Sequence, residues 1–110
     1  MSRVVSFGYK FQVPERTAGH TLWLDARCVT NPYKHGESDE SMRARVLDDP
    51  GARRLVERGV QYLTDVPDAA VFVGCSYGRH RSVAIADEIA RRLGIEAEHT
   101  STGSNGVKRV

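Results

Sequence analysis

The chain has only two cysteines, Cys28 and Cys75, among its 110 residues. Two thiols cannot make the multiple bridges that staple small secreted domains, and neither sits in a Cys/His cluster at metal-ligand spacing. The sequence therefore indicates no disulfide framework and no metal site. No apolar run approaches the length of a membrane span, and the first residues lack the pattern of a secretory leader. The expected compartment is the cytoplasm, with both thiols reduced. The phosphate-loop pattern G-x-x-x-x-G-K-[ST] does not occur. Charge of one sign is scarce too: the formal net charge is +2, too little to argue for nucleic acid by itself. Lysine is also scarce, so almost all the positive charge is arginine, whose planar fork pairs with phosphate and carboxylate as lysine cannot.

What remains is the composition of one globular domain long enough to bury a core. RVVSFGYKFQ, residues 3 to 12, reads as a strand rich in β-branched and aromatic side chains. A second strand reads in TLWLDARCV, with Leu22, Leu24 and Ala26 facing one way and Trp23, Asp25 and Arg27 the other. Asn31-Pro32 ends it in a turn. The polar stretch from Tyr33 to Asp48 reads as a mobile loop with a short helix around Ser41 to Leu47. Asp49 and Pro50 then form a helix start, followed by Leu55, Val56, Val60 and Leu63 at helical spacing up to Asp65. Ala69 to Gly74 is a continuous apolar strand, and Val83 to Leu93 a helix capped by Gly94. Ile95 to His99 adds a short strand. These elements predict an α/β class: a layered single domain over residues 1–100 with a small, partly parallel sheet, and a flexible polar and basic tail over 101–110.

The informative stretch is VFVGCSYGRHRSV, residues 71 to 83. A small-residue loop between a strand and a helix gathers backbone N–H groups around one point, and the helix N-terminus adds its unpaired donors and positive dipole. The loop from Cys75 to Ser82 thus reads as an anion-binding strand-loop-helix. Arg81 supplies a bidentate guanidinium, His80 a group that donates or accepts near neutrality, Gly78 a close backbone approach, and Ser82 an N-cap or further donor.

The same letters hold a second pattern. Cys75 and Arg81 at Cys-x5-Arg spacing, followed by Ser82, resemble the active-site loop of cysteine-dependent phosphatases, with Cys75 and Arg81 as the catalytic pair. Gly74 stands where those enzymes carry a histidine, and no loop aspartate stands out as a general acid. Against both functional readings, a cysteine ending a buried strand also packs as a small core residue.

Three stretches in order, SFGYKF, LDARCVTNP and VGCSYGRHRSVAIADEIA, resemble the C-terminal domain of the RapZ family of RNase adapter proteins, across roughly residues 6 to 99. The resemblance implies a non-catalytic regulatory module that binds a phosphorylated small molecule, glucosamine-6-phosphate, and small RNA. It further implies contact with an endoribonuclease and homo-oligomer formation, without a cofactor, a metal or a membrane. The implied sugar-phosphate site is Ser76, Tyr77, Gly78, His80 and Arg81 beside Asn31, with Ser82 closing the loop. The implied RNA contacts are Lys10, Arg27, Arg79 and Arg81.

This chain departs from the family pattern in named places. Asn31-Pro32-Tyr33 stands where the family has Asn-Pro-His, which makes His35 a candidate substitute. Tyr77 replaces a small loop residue and offers a face on which a sugar or base stacks. Without a phosphate-loop domain, ATP or GTP binding is not carried over. Three alternatives stay open: a phosphatase-like enzyme, a protein–protein adapter with a vestigial loop, and a nucleic-acid binder using Arg53, Arg54, Arg58, Arg91, Arg92 and the Lys108-Arg109 tail. The arginines of that last reading also fit plain solvated helix faces.

Overall fold

A computed structural model describes residues 1–15 and 19–100. Four strands, β1 (Arg3–Gly8), β2 (Thr21–Asp25), β3 (Ala70–Cys75) and β4 (Glu98–His99), form one sheet in the order β2-β3-β1-β4. Every pairing is parallel. The parallel pairing expected for the second half of the chain therefore extends to the whole sheet. Three helices, α1 (Asp39–Val46), α2 (Pro50–Asp65) and α3 (Arg81–Leu93), complete the α/β domain.

Alternation along the strands sorts their side chains between two faces. Val4, Leu24, Val71, Val73 and Cys75 face the helices and join Ala52, Leu55, Val56, Leu63, Ile85 and Ile89 in one core. Val5, Phe7, Ala70 and Phe72 face the other way with Trp23 and Tyr9. There the Trp23 and Phe72 rings stack with centroids 4.5 Å apart. The expected split of Leu22, Leu24 and Ala26 from Trp23 is the one found. α2 and α3 meet at Gly59, where an added Cβ would lie 2.5 Å from Ile89 Cδ1, so glycine sets how closely they cross.

The first two strands are shorter than their sequence pattern. β1 stops at Gly8, where Phe11 N–H donates back to Gly8 C=O in a turn. β2 stops at Asp25, whose carboxylate accepts from Arg27 N–H and caps a 3₁₀ turn over Ala26–Cys28. Polar hydrogen bonding at the strand ends outweighs β-propensity in both places. The Tyr33 to Asp48 stretch, expected to be mostly loop, carries α1, with Ser38 as N-cap accepting from Ser41 N–H. Asp49 and Pro50 start α2 as expected, and Gly94 closes α3 with φ 72°. The tail over 101–110, with Lys108 and Arg109, lies outside the described residues. Among the described residues, no helix is long and apolar enough to cross a membrane.

Candidate functional site

The strand order fixes where a ligand would sit. The chain leaves β1 toward β2 at one edge of the sheet and leaves β3 toward β4 at the other, although β1 and β3 are neighbours. Connections that diverge from adjacent parallel strands open a crevice beyond their carboxyl ends. A cleft of about 510 Å³ occupies that position. Phe11 from the β1 exit, Asn31 and Tyr33, Asp39 and Met42 of α1, and Cys75, Tyr77, Arg79, His80 and Arg81 of the β3–α3 loop line it.

The loop is built around Cys75. Gly78, with φ 71°, turns its N–H back onto Cys75 Sγ at 3.2 Å. Sγ also lies 3.2 Å from Ser82 Oγ, to which the thiol donates. Burial pushes the Cys75 thiol up, but bonds from the Ser82 hydroxyl and from the Ser82 and Gly78 N–H groups, with the Arg81 charge, outweigh it and leave it below the ordinary thiol range. In the thiolate form the Ser82 hydroxyl turns to donate. Beside this, Tyr9 N–H donates to Cys75 C=O at 2.8 Å and Lys10 N–H to Ser76 C=O at 2.9 Å, so the β1 exit brackets the loop. Gly8 allows that approach, because a Cβ there would meet the Tyr77 carbonyl at 2.5 Å.

Arg81 opens α3, and its Nη1 donates to the carbonyls of Arg27 and Val29 at 3.3 and 3.2 Å. Those two bonds anchor one nitrogen of the guanidinium at the cleft wall. His80 Nε2 lies 3.0 Å from Asp39 Oδ1, and Arg79 reaches the same carboxylate at 3.4 Å. The His80 hydrogen bond, outweighing desolvation and joined by the nearby Arg79, His80 and Arg43 charges, holds Asp39 below the usual carboxylate range. Asp39 is therefore an anion that gathers two donors at the cleft rim. Arg43 Nε closes the arrangement by donating to Arg79 C=O at 2.8 Å.

Of the residues singled out in the sequence, Asn31, Cys75, Tyr77, Arg79, His80 and Arg81 meet at the cleft. Ser76 and Gly78 shape the loop without lining it, and Asn31 Oδ1 accepts from Tyr33 N–H in a local turn. The N-cap role expected of Ser82 is corrected: His80 is the N-cap residue, without a side-chain bond, and Ser82 lies inside the first turn, fully buried against Cys75. Tyr33 lines the cleft itself, whereas His35 is exposed and is not a lining residue. Lys10 lies over the Tyr77 ring at 5.5 Å. Arg27 stacks on Tyr9 at 3.8 Å and makes a fork with Asp25, so its charge is already matched. The helix arginines are largely engaged as well: Arg91 and Arg92 bind Glu88, Arg92 also binds Glu57, and Arg53 donates to the Leu47 and Asp48 carbonyls. Sequence reasoning missed Phe11, Asp39 and Met42. The Ser38 cap followed by Asp39-Glu40 is the signal for α1 that could have found Asp39.

Among the described residues, no three His, Cys, Asp or Glu side chains gather as metal ligands would. The sequence model of the RapZ C-terminal domain matches residues 1–104, a span that includes the strand-end cysteine, the β3–α3 loop and the arginine that opens α3. The chain belongs to the RapZ C-terminal domain family. Proteins called "Nucleotide-binding protein" are similar to it. That of Acidothermus cellulolyticus is 37% identical over 105 residues, covering 82% of this chain and 33% of its own length. That of Rubrobacter xylanophilus is 41% identical over 106 residues, covering 83% and 34%. That of Salinispora arenicola is 38% identical over 112 residues, covering 83% and 35%. The chain thus spans about a third of the length of these relatives. The RapZ C-terminal domain seen here is a parallel α/β unit with its cleft at the strand switch point.

Proposed function

We propose that this domain is a regulatory binding module for a phosphorylated ligand, held at the Cys75–Ser82 loop. One observation carries the reading. Arg79, His80 and Arg81 converge on a single cleft at the N-terminus of α3, whose first-turn N–H groups have no acceptor within the helix. Arg81, with Nη1 anchored to two carbonyls, offers its remaining guanidinium N–H groups to a phosphoryl oxygen. Binding of this kind needs no bond to be broken.

The ligand that family membership favours is an aminosugar phosphate such as glucosamine-6-phosphate. A second ligand class, nucleotide or RNA, is favoured by the rim. Phe11, Tyr33 and Tyr77 are 45%, 62% and 55% exposed, and all three line the cleft. Aromatic faces beside a phosphate site suit a stacked base, and the name of the relatives, nucleotide-binding protein, agrees with such a ligand. Lys10 and Arg79 on the rim would carry RNA backbone contacts. A ribonuclease partner, homo-oligomer assembly and a cytoplasmic setting belong to this proposal through the family alone.

Calorimetric titration with inorganic phosphate, glucosamine-6-phosphate, AMP and a short structured RNA, on the parent and on Arg81→Ala, tests it. Heat from the phosphorylated ligands that disappears in Arg81→Ala supports the assignment. Binding that survives Arg81→Ala places the site elsewhere, and no binding of any ligand ends the proposal. RNA binding through phosphates adds a steep fall of log affinity with log salt. Loss of AMP binding alone in Tyr77→Ala would assign stacking to that ring.

A further inference from the structure

We infer that the cleft also carries phosphoryl-transfer chemistry, with Cys75 Sγ accepting the phosphoryl group of a bound phosphate monoester. This goes beyond the binding reading and rests on its placing of the phosphate at the loop. Cys75 lines the cleft together with Arg79, His80, Arg81 and Asp39. This cysteine, 2% exposed, therefore borders the same cavity as the cations that would hold a phosphate and a histidine–carboxylate pair.

The groups around the sulfur are those a thiolate nucleophile needs. Gly78 N–H points at Sγ from 3.2 Å, and Ser82 Oγ stands 3.2 Å away on the first turn of α3. N–H donors, a hydroxyl and a helix N-terminus all favour the anion over the thiol. Asp39 is not the proton donor, since His80 and Arg79 keep it ionised; it instead holds His80 Nε2 at 3.0 Å. Among the described residues, His80 Nδ1 makes no hydrogen bond, so that nitrogen is the group left to exchange a proton.

The step balances with these groups and water. The thiolate attacks phosphorus, an S–P bond forms and the ester P–O bond breaks, and the leaving oxygen takes a proton from the His80 ring. Water then attacks the phosphocysteine and returns a proton to His80. The S–P bond breaks, releasing inorganic phosphate and the thiolate. No oxidant or reductant enters.

The test uses p-nitrophenyl phosphate, whose good leaving group lessens the need for an acid. It is run on the chain in a Cys28→Ser background, because Cys28 is exposed and would react independently. Nitrophenol release is compared with Cys75→Ser, and acid-quenched protein is weighed for one added phosphoryl group on the Cys75 peptide. Turnover lost in Cys75→Ser, with a phosphorylated Cys75 peptide in the parent, is the expected result. Should Cys75→Ser fail to fold, the phosphopeptide of the parent decides alone. Calorimetry with inorganic phosphate on the same parent separates the two readings. Phosphate binding with neither turnover nor adduct overturns this inference and leaves the binding module standing, whereas absence of binding as well overturns both.

Discussion

Asp39 Oδ1 lies 3.0 Å from His80 Nε2, although the two residues are 41 positions apart in the chain. The pair joins α1 to the loop before α3 and closes the rim of the cleft with an anion. That anion competes with any phosphate for His80 and Arg79. Asp39→Asn keeps an oxygen for the histidine and removes the charge. Phosphate affinity should then rise a few-fold at low ionic strength, with the gain fading at high salt, because exposed charges are screened. Titrations at two salt concentrations check this, and weaker binding in the variant would show that the carboxylate itself is required. If Cys75 transfers phosphoryl groups, the same variant should slow turnover while tightening binding.

Arg81 has two tasks that a lysine cannot perform together. Its Nη1 bonds to the Arg27 and Val29 carbonyls tie α3 to the 3₁₀ turn, and the residue lines the cleft. Arg81→Lys keeps the charge and loses the fork. We expect at least a tenfold loss of phosphate affinity and a stability loss of about 1.5–3 kcal/mol, the worth of hydrogen bonds to a charged group. Calorimetry and denaturant melts measure the two separately. Unchanged affinity would mean that only charge matters. His80→Ala should weaken binding with a smaller stability loss, from its single bond to Asp39.

Gly8 and Gly59 look alike as crowded glycines and should respond differently. A Cβ on Gly8 meets backbone, the Tyr77 carbonyl at 2.5 Å, whereas one on Gly59 meets the tip of the Ile89 side chain. Gly8→Ala therefore has to displace the loop itself, at about 1–3 kcal/mol for overpacking, and should weaken phosphate binding. Gly59→Ala should lower the melting temperature while leaving affinity intact. Equal affinity in Gly8→Ala and the parent would argue that the loop tolerates displacement.

Two carboxylates with strongly lowered pKa values should contribute to the loss of stability in acid. Glu37 is held down to about 2, chiefly by its Arg45 and Ser41 hydrogen bonds, and Glu88 to about 2, chiefly by Arg91 and then Arg92 against desolvation. Both folded values lie below the ordinary 4.5, so the stabilisation is fully present above 4.5 and is lost as pH falls toward about 2. The melting temperature should fall across that window, and Glu88→Gln should flatten the fall. An unchanged slope in Glu88→Gln would assign the acid transition to other groups.

Where local chemistry decides, the chain is readable. Asp49-Pro50 and Gly94 mark helix ends because capping and φ are local properties, and both ends lie where the sequence puts them. The alternation of Leu22, Trp23 and Leu24 is enough to sort those side chains between the two faces, because a strand repeats every two residues. The anion loop is legible as well, since a small-residue turn into a helix implies its donors wherever it occurs. Ser82 reads as a cap because hydroxyls favour that position, while here the hydroxyl is committed to Cys75.

Sequence by itself determined the α/β class, the start of α2, the end of α3 and the residue types of the Cys75–Ser82 loop. Tertiary structure alone decided that the whole sheet is parallel, that β3 lies between β2 and β1, and that Phe11, Asp39 and Met42 share a cleft with Arg81. Such pairings join residues tens of positions apart. Their geometry follows from strand order and helix packing, which no local propensity encodes.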